Sequence, residues 1–397
     1  MTPRPKESDD RPIVGPVGFS AGAVRAGIKP SGKLDLAAIL SDRPAVATAV
    51  TTQNRFPGAP VVVVRERVAA GRPMRGVVVS AGISNVCTGK KGLADAREMA
   101  RLAAVAAGAG EEDFFVASTG VIGVPLPMDR IAAAMPELAR SLSPEGWRDF
   151  SHAIMTTDTV PKVSHRTLRL ANAPAGTPAP TILGICKGVG MIEPNMATML
   201  AFLVTDYPVP ADAAGAMLRR VVDRTFNRVT VDGDTSTSDM AILLANGAAC
   251  SRDVVDEADD AHFEAALGEV CEELTRMIAR DGEGATHLIV IEVEGAPGDG
   301  EAHRIAKTIA NSPLVKTAIF GRDPNWGRIC AAAGRAGVDF DPRHVSLHLQ
   351  GTEIFAAGGP VAFDRAALSE ALRADEVLIQ LRVGSGPGHA RVWTCDL

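Results

Sequence analysis

Short apolar runs alternate with stretches of helical spacing along the chain. PVVVV (Pro60 to Val64), RGVVVS (Arg75 to Ser80) and DFFVAS (Asp113 to Ser118) are continuous, β-branched or aromatic, and bounded by breakers, so they predict buried strands. Between the last two lies GLADAREMARLAAVAAGAG, whose apolar positions repeat at helical spacing and end in glycines. A second helix is expected after Pro127. Further on, LAFLVTD, MAILLAN, HLIVIEVEG, HVSLHLQ and EVLIQLR predict strands, with helices over 210–225 and 257–280. ANAPAGTPAP (Ala171 to Pro180) separates two strand-like segments and predicts a hairpin loop, not a domain linker. The fold class expected is α/β, with long sheets covered by helices.

Composition narrows the partners more than the fold. Only 4% of residues are aromatic, so the core must close on small aliphatic side chains. The net charge is −6 with both signs interspersed, which argues against nucleic acid or a membrane surface as partner. The first residues, MTPRPKESDDRP, are polar and Pro-rich, so 1–11 is expected to be a flexible arm and not a leader. No later run has the length of a membrane span, and a cytoplasmic location is expected. Cys87, Cys186, Cys250, Cys271, Cys330 and Cys395 stand apart, without CxxC or zinc spacing, and are expected to be reduced thiols. Neither a metal nor a cofactor is expected.

Several familiar signatures fail on inspection. SNVCTGKK (Ser84 to Lys91) lacks the first glycine of a phosphate loop and has Lys91 where a hydroxyl should hold magnesium. GVGMIE (Gly188 to Glu193) misses the third glycine of a dinucleotide loop. Gly18-Phe19-Ser20-Ala21-Gly22 fits G-x-S-x-G, but no apolar strand precedes it as a nucleophile elbow requires. His344 and His348 fall on one face of an expected strand, where a metal would need a third ligand. A solvated strand face accounts for them.

What remains is KGVGMIEPNMATMLAFLVTD, Lys187 to Asp206. Glycines, Pro194 and Asn195 mark a tight turn, Thr198 follows, and an apolar strand begins. Taken alone, Thr198 is a hydroxyl residue at a strand start, a common and innocent arrangement. This stretch, however, resembles the signature of the ornithine acetyltransferase (glutamate N-acetyltransferase) family. VGFSAGAVRAGIKPSGKLDLA, ASTGVIGVPLPMDRI, IMTTDTVPK, DGDTSTSD, DGEGAT and NSPLVKTAIFGRDPNWGRI match its segments in order, from about Gly15 to Leu397.

The resemblance implies a layered α-β-β-α sandwich. It also implies self-cleavage between Ala197 and Thr198, giving an α chain (12–197 after the arm) and a β chain (198–397) that share one fold and assemble as α2β2. Thr198 would then be an N-terminal nucleophile. A hydroxyl is a poor nucleophile without a base. A freed α-amine, with a pKa of roughly 8, can serve its own hydroxyl. By resemblance Thr119 (hydroxyl) and Gly120 (N–H) are the oxyanion donors, and Thr157, Lys187, Thr198 and Glu283 contact the amino-acid substrates. Lys187 would meet a carboxylate, and Glu283 an amino group. Each has a plainer reading as a turn or loop residue. Asp232-Gly233-Asp234 and Arg322-Asp323-Pro324-Asn325 are expected to tie loops together.

The pattern departs in three places. Ser80 and Ile83 replace asparagines of the family segment, and so does Ser238. Family members also run on past C-D-L into a tail whose Asn and Thr contact substrate, so the amino-acid end of the pocket is expected to be more open or differently built here. Three functions follow: acetyl transfer from N-acetylornithine to glutamate, the same nucleophile used as a hydrolase or acyltransferase on a different amino acid or acyl substrate in a specialised pathway, or a non-catalytic descendant.

Overall fold

The computed structural model describes residues 12–170, 176–193 and 199–396. The described chain is mixed α/β and divides into two compact units. The first holds residues up to Gly188, Asn195–Asn227 and Thr235–Leu274; the second holds Val189–Pro194, Arg228–Asp234 and Thr275 onward.

The first unit is built on eight strands: β1 (Phe19–Val24), β2 (Leu36–Thr51), β3 (Met74–Ile83), β4 (Phe114–Val121), β5 (Lys162–Thr167), β6 (Thr181–Lys187), β7 (Leu200–Thr205) and β8 (Met240–Ala245). Their order is β4-β3-β2-β8-β7-β6-β5, with β1 paired to β2. The helices are α1 (Ala59–Ala70), α2 (Gly89–Ala106), α3 (Met128–Ser141), α4 (Trp147–Ala153), α5 (Ala214–Arg224) and the part of α6 (Glu257–Arg280) up to Leu274. Side chains alternate between the faces of the central strands, and both faces are buried. Val77, Val79, Phe115 and Ala117 join one core with Trp147, Phe150 and Phe202. Val78, Phe114 and Val116 join another with Met99, Ala100 and Leu138. Strands buried on both sides read as unbroken apolar runs, which is why β3, β4, β7 and β8 are visible in the sequence.

One element contradicts the expectation and a second was not predicted. PVVVV is not a strand but the first half of α1. Pro60 sits in the first turn, where its missing N–H costs nothing, and Gly71 closes the helix with φ 64°. The run continues as RERVAA, so its length is that of a helix. The second is β2, whose middle, Ser41-Asp42-Arg43-Pro44, has the composition of a turn. The strand passes through it by a register shift between Leu40 and Ala45, pairing with β3 before it and β8 after it. Proline is tolerated there because a bulge needs no ladder donor. β5 and β6 form the expected antiparallel hairpin; Ala171–Ala175 of its loop lie outside the described residues. Residues 1–11 do too.

The second unit carries β9 (Leu288–Ala296), β10 (Ser346–Leu349), β11 (Thr352–Ala356), β12 (Gly359–Pro360), β13 (Glu376–Arg382) and β14 (Gly388–Cys395), in the order β12-β11-β10-β13-β9-β14. Its helices are α7 (Asp299–Ala310), α8 (Pro313–Phe320), α9 (Trp326–Gly334) and α10 (Arg365–Ala371). One core unites Ile289, Ile291, Leu347 and Leu381 with Ile305, Ile309 and Ile319. His348 lies on β10, but His344 belongs to the 3-10 turn before it, so the two do not share a strand face. No helix among the described residues is long and apolar enough to cross a membrane.

Candidate active site

Thr119 and Gly120 end β4, beside Ala81 and Gly82 of the parallel neighbour β3. The backbone here admits only glycine. Gly120 has φ 127°, and a Cβ on it would lie 2.3 Å from the Gly82 carbonyl carbon. Thr119 is 8% exposed, and its hydroxyl takes no hydrogen bond from a described residue. The Gly-x-Ser-x-Gly pattern lies in and just before β1, an ordinary strand paired to β2, so it is no nucleophile elbow.

From Gly82 the site continues through Lys29. A Cβ on Gly82 would stand 3.2 Å from Lys29 Cγ. Lys29 Nζ donates to the carbonyls of Leu34 (2.7 Å) and Ala153 (2.8 Å). Burial brings its pKa down to about 8; Asp35 and Asp158 oppose this, while Lys187 adds to it. Asp35 shapes the same turn by accepting the N–H groups of Ala26, Ile28 and Lys29.

Lys187 is the last residue of β6, and Asp158 is its main counter-charge. Asp158 accepts Lys162 Nζ at 2.8 Å, with both side chains at 1% exposure or less, and the Gly188 N–H at 2.7 Å. Burial works against ionising Asp158, yet Lys187, Lys162 and the Gly188 N–H hold its pKa down at about 2. A carboxylate fixed by two cations and a backbone donor is a rigid peg. It locks the turn that carries Thr157, which is itself exposed. Burial lowers the Lys187 pKa; Asp158 and Asp239 offset part of this, and Lys162 reinforces it. Among the described residues Lys187 Nζ has no hydrogen-bond partner. The neighbouring Cys186 is inert, its thiol pushed up to about 12 by burial.

Asp239 is a residue the sequence reading did not single out. It is 2% exposed and precedes β8. Burial drives its carboxyl well above the usual carboxylate range, against the pull of Lys187, the Ser236 side chain and the Met199 N–H. Met240 N–H in turn donates to the Met199 carbonyl at 3.0 Å. Met199 is therefore held from both sides by Asp239 and Met240. Asp239 Oδ2 and Ser238 Oγ have no partner among the described residues. Asp239 is the last residue of DGDTSTSD, and the usable signal was an acid directly before an all-apolar strand.

Ala197 and Thr198 lie outside the described residues. Just after them, Leu200 of β7 pairs with Lys187 of β6. Glu283 belongs to the second unit, where its N–H donates to the Val189 carbonyl at 3.0 Å. Its carboxyl group stands over Gly190, where a Cβ would come within 2.9 Å of Glu283 Cδ. The structure thus groups Thr119 with Gly120, and Lys187 with Thr157, in the first unit. Glu283 sits beside Gly190 in the second. Asp232 accepts N–H groups from Met191, Ile192 and Asp234. Asp323 holds Asn325 and Arg365, and Asn325 caps α9. Both turns tie loops together, as expected. All six cysteines are free, and no His, Cys, Asp or Glu cluster among the described residues could hold a metal ion.

Residues 20–397 match the ArgJ family. An arginine biosynthesis bifunctional protein ArgJ from Thermus thermophilus is 50% identical over 96% of this chain and 95% of its own. The protein of that name from Symbiobacterium thermophilum is 47% identical over 97% and 95%. A solved structure of a Bacillus halodurans arginine biosynthesis bifunctional protein argJ is 40% identical, covers 50% of this chain and 95% of its own, and has a TM-score of 0.48. With identity of this degree sustained over nearly the whole length, the chain belongs to the ArgJ family.

Proposed function

We propose that Thr198 is the nucleophile through which this chain, an ArgJ acetyltransferase of arginine biosynthesis, moves the acetyl group of N-acetylornithine to glutamate. Maturation comes first. Thr198 Oγ attacks the Ala197 carbonyl carbon, and the peptide C–N bond breaks as the hydroxyl proton passes to the departing amine. Water then hydrolyses the ester, leaving an Ala197 carboxylate, a free hydroxyl and a free α-amine on Thr198. That amine, with a pKa of roughly 8, is the base for the hydroxyl in turnover.

In turnover Oγ attacks the acetyl carbonyl of N-acetylornithine. Ornithine leaves with the proton, and the acetyl group stays as an ester on Thr198. The amine of glutamate attacks this ester and carries the acetyl group away. Both tetrahedral intermediates place negative charge on one oxygen. The Thr119 hydroxyl and Gly120 N–H, in a strand end that no side chain can crowd, are the donors for it. Lys187 meets the substrate carboxylate, Thr157 lies beside it, and Glu283 takes the substrate amine.

The observation that carries this reading is the β6–β7 register. Leu200 pairs with Lys187, so Thr198 is two residues from the cross-strand neighbour of this lysine. The reading includes α and β chains of 1–197 and 198–397, assembled as α2β2 and working on amino acids without a cofactor. Intact mass spectrometry tests it. Two fragments are expected, the second beginning Thr198-Met199-Leu200, and brief exposure to N-acetylornithine should add one acetyl group to that fragment. A single uncut chain, or an acetyl group that glutamate does not remove, would overturn it.

A further inference from the structure

The loop before the cleavage bond is fastened more firmly than a connection needs. In the second unit, Asp232 accepts the N–H of Met191 and of Ile192, the latter at 2.9 Å. The Ile192 carbonyl accepts the Val231 N–H at 2.7 Å, and the Ile192 side chain is fully buried. Every polar backbone atom of Ile192 is thus bound, five residues before Ala197. Lys307 of α7 stands 3.4 Å from the Glu193 carboxylate and donates to the Val229 carbonyl at 2.8 Å. Lys316 of α8 backs the same strip from behind. Its Nζ donates to Val231 O, Thr394 Oγ1 and Cys395 O, all within 2.8 Å. The strip on which Val189–Glu193 rests is therefore anchored to two helices and to the end of β14.

We propose that Asp232 and Lys307 are positioning residues for self-cleavage, holding Val189–Glu193 so that the chain enters the Ala197–Thr198 bond in one geometry. The proposal rests on the reading that this bond is cut. Its logic is asymmetric. Before the cut, residues 189–193 and Thr198 belong to one continuous chain, and fixing one end limits where the carbonyl under attack can lie. After the cut, Thr198 is the free end of another chain, held through Met199 and β7. Anchors on the far side of the break no longer act on the nucleophile through the backbone. Effective positioning of two reacting groups is where enzymes gain most, and small displacements are costly.

Asp232→Asn keeps the shape but weakens acceptance of the N–H groups; Lys307→Met removes the charge beside Glu193. Each full-length variant is made by cell-free synthesis with a labelled pulse, and the appearance of the fragment beginning at Thr198 is timed. Turnover is then measured on protein incubated until fully cut. Both variants are expected to slow cleavage ~10-fold or more while kcat of the cut enzyme stays within about twofold; a rise in KM alone reflects Glu283, whose N–H rests on Val189. Glu193→Gln breaks the ion pair from the other side and should match Lys307→Met, so the test survives if one variant fails to fold. Cleavage at the wild-type rate overturns the proposal, and so does a loss of kcat in proportion to the loss of cleavage rate. A wild-type chain that never cuts overturns the function itself, which separates the two failures.

Discussion

At the scale of single residues, the site is set by which charges can be stabilised out of water. Lys162 is fully buried, and Asp158 beside it is the reason this is tolerated. Breaking such a pair by removing one partner typically costs about 3–5 kcal/mol, because the other charge is left buried. Asp158→Asn is therefore expected to lower the urea midpoint strongly at neutral pH and to disturb the turn carrying Thr157. The sign with pH follows from the depressed carboxyl. Its pKa of about 2 lies below the unfolded value of 3.8, so its stabilisation, about 2 kcal/mol, is complete above the unfolded pKa and lost as pH falls through the folded one. The gap between wild type and Asp158→Asn should be constant from pH 7 to about 5 and narrow between pH 4 and 2. A gap independent of pH would show that Asp158 is not the charged partner. None of this was legible in IMTTDTVPK, from which only Thr157 stood out. Their pairing depends on β5 and β6 bringing the loop back under Lys187.

At the scale of elements, strand ends place the chemistry, and glycine decides where they can. A side chain on Gly120 would run into the Gly82 backbone, and one on Gly82 would press on Lys29 and Ile28. Gly120→Ala should therefore fail to fold or to cut, seen as insoluble or uncut protein. Thr119→Ala is the informative partner. The hydroxyl makes no hydrogen bond to a described residue, so its removal should leave the melting temperature nearly unchanged. Loss of one oxyanion donor should lower turnover by about 100-fold to 1,000-fold. A parallel fall in melting temperature would instead mark Thr119 as structural. The strands that carry these positions, β3 and β4, were visible as apolar runs because both faces are buried. α1 and β2 were not. PVVVV has strand composition, but Pro60 in the first turn and Gly71 after the last are helix punctuation. β2 hides a turn-like tetrapeptide inside a bulge, and only its two pairing partners reveal it as one strand.

At the scale of the whole molecule, the compact units do not follow the proposed boundary at Ala197–Thr198. The first unit takes strands from both sides of it. In the order β4-β3-β2-β8-β7-β6-β5, the two strands after the boundary, β7 and β8, lie between β2 and β6, which precede it. Six residue pairs join β6 to β7, from Ile182–Thr205 to Lys187–Leu200, and six join β2 to β8. Every residue of β7 and β8 is buried. Withdrawing them would expose Leu200, Phe202, Leu203, Val204, Ile242, Leu243 and Leu244, a cost on the order of 10 kcal/mol from apolar surface alone. It would also leave two strand edges without their ladders. Cutting the chain is thus expected to change covalent structure and not the fold. The fragments should co-elute as one species in size exclusion, appear as two bands only after denaturation, and fail to refold when diluted from urea separately. Thr198→Ala supplies the control. It should remain one chain, elute at the same volume and melt cooperatively, because the sheet forms before any cut and does not depend on it. Fragments that separated in native buffer would mean that β7 and β8 do not occupy the middle of the sheet.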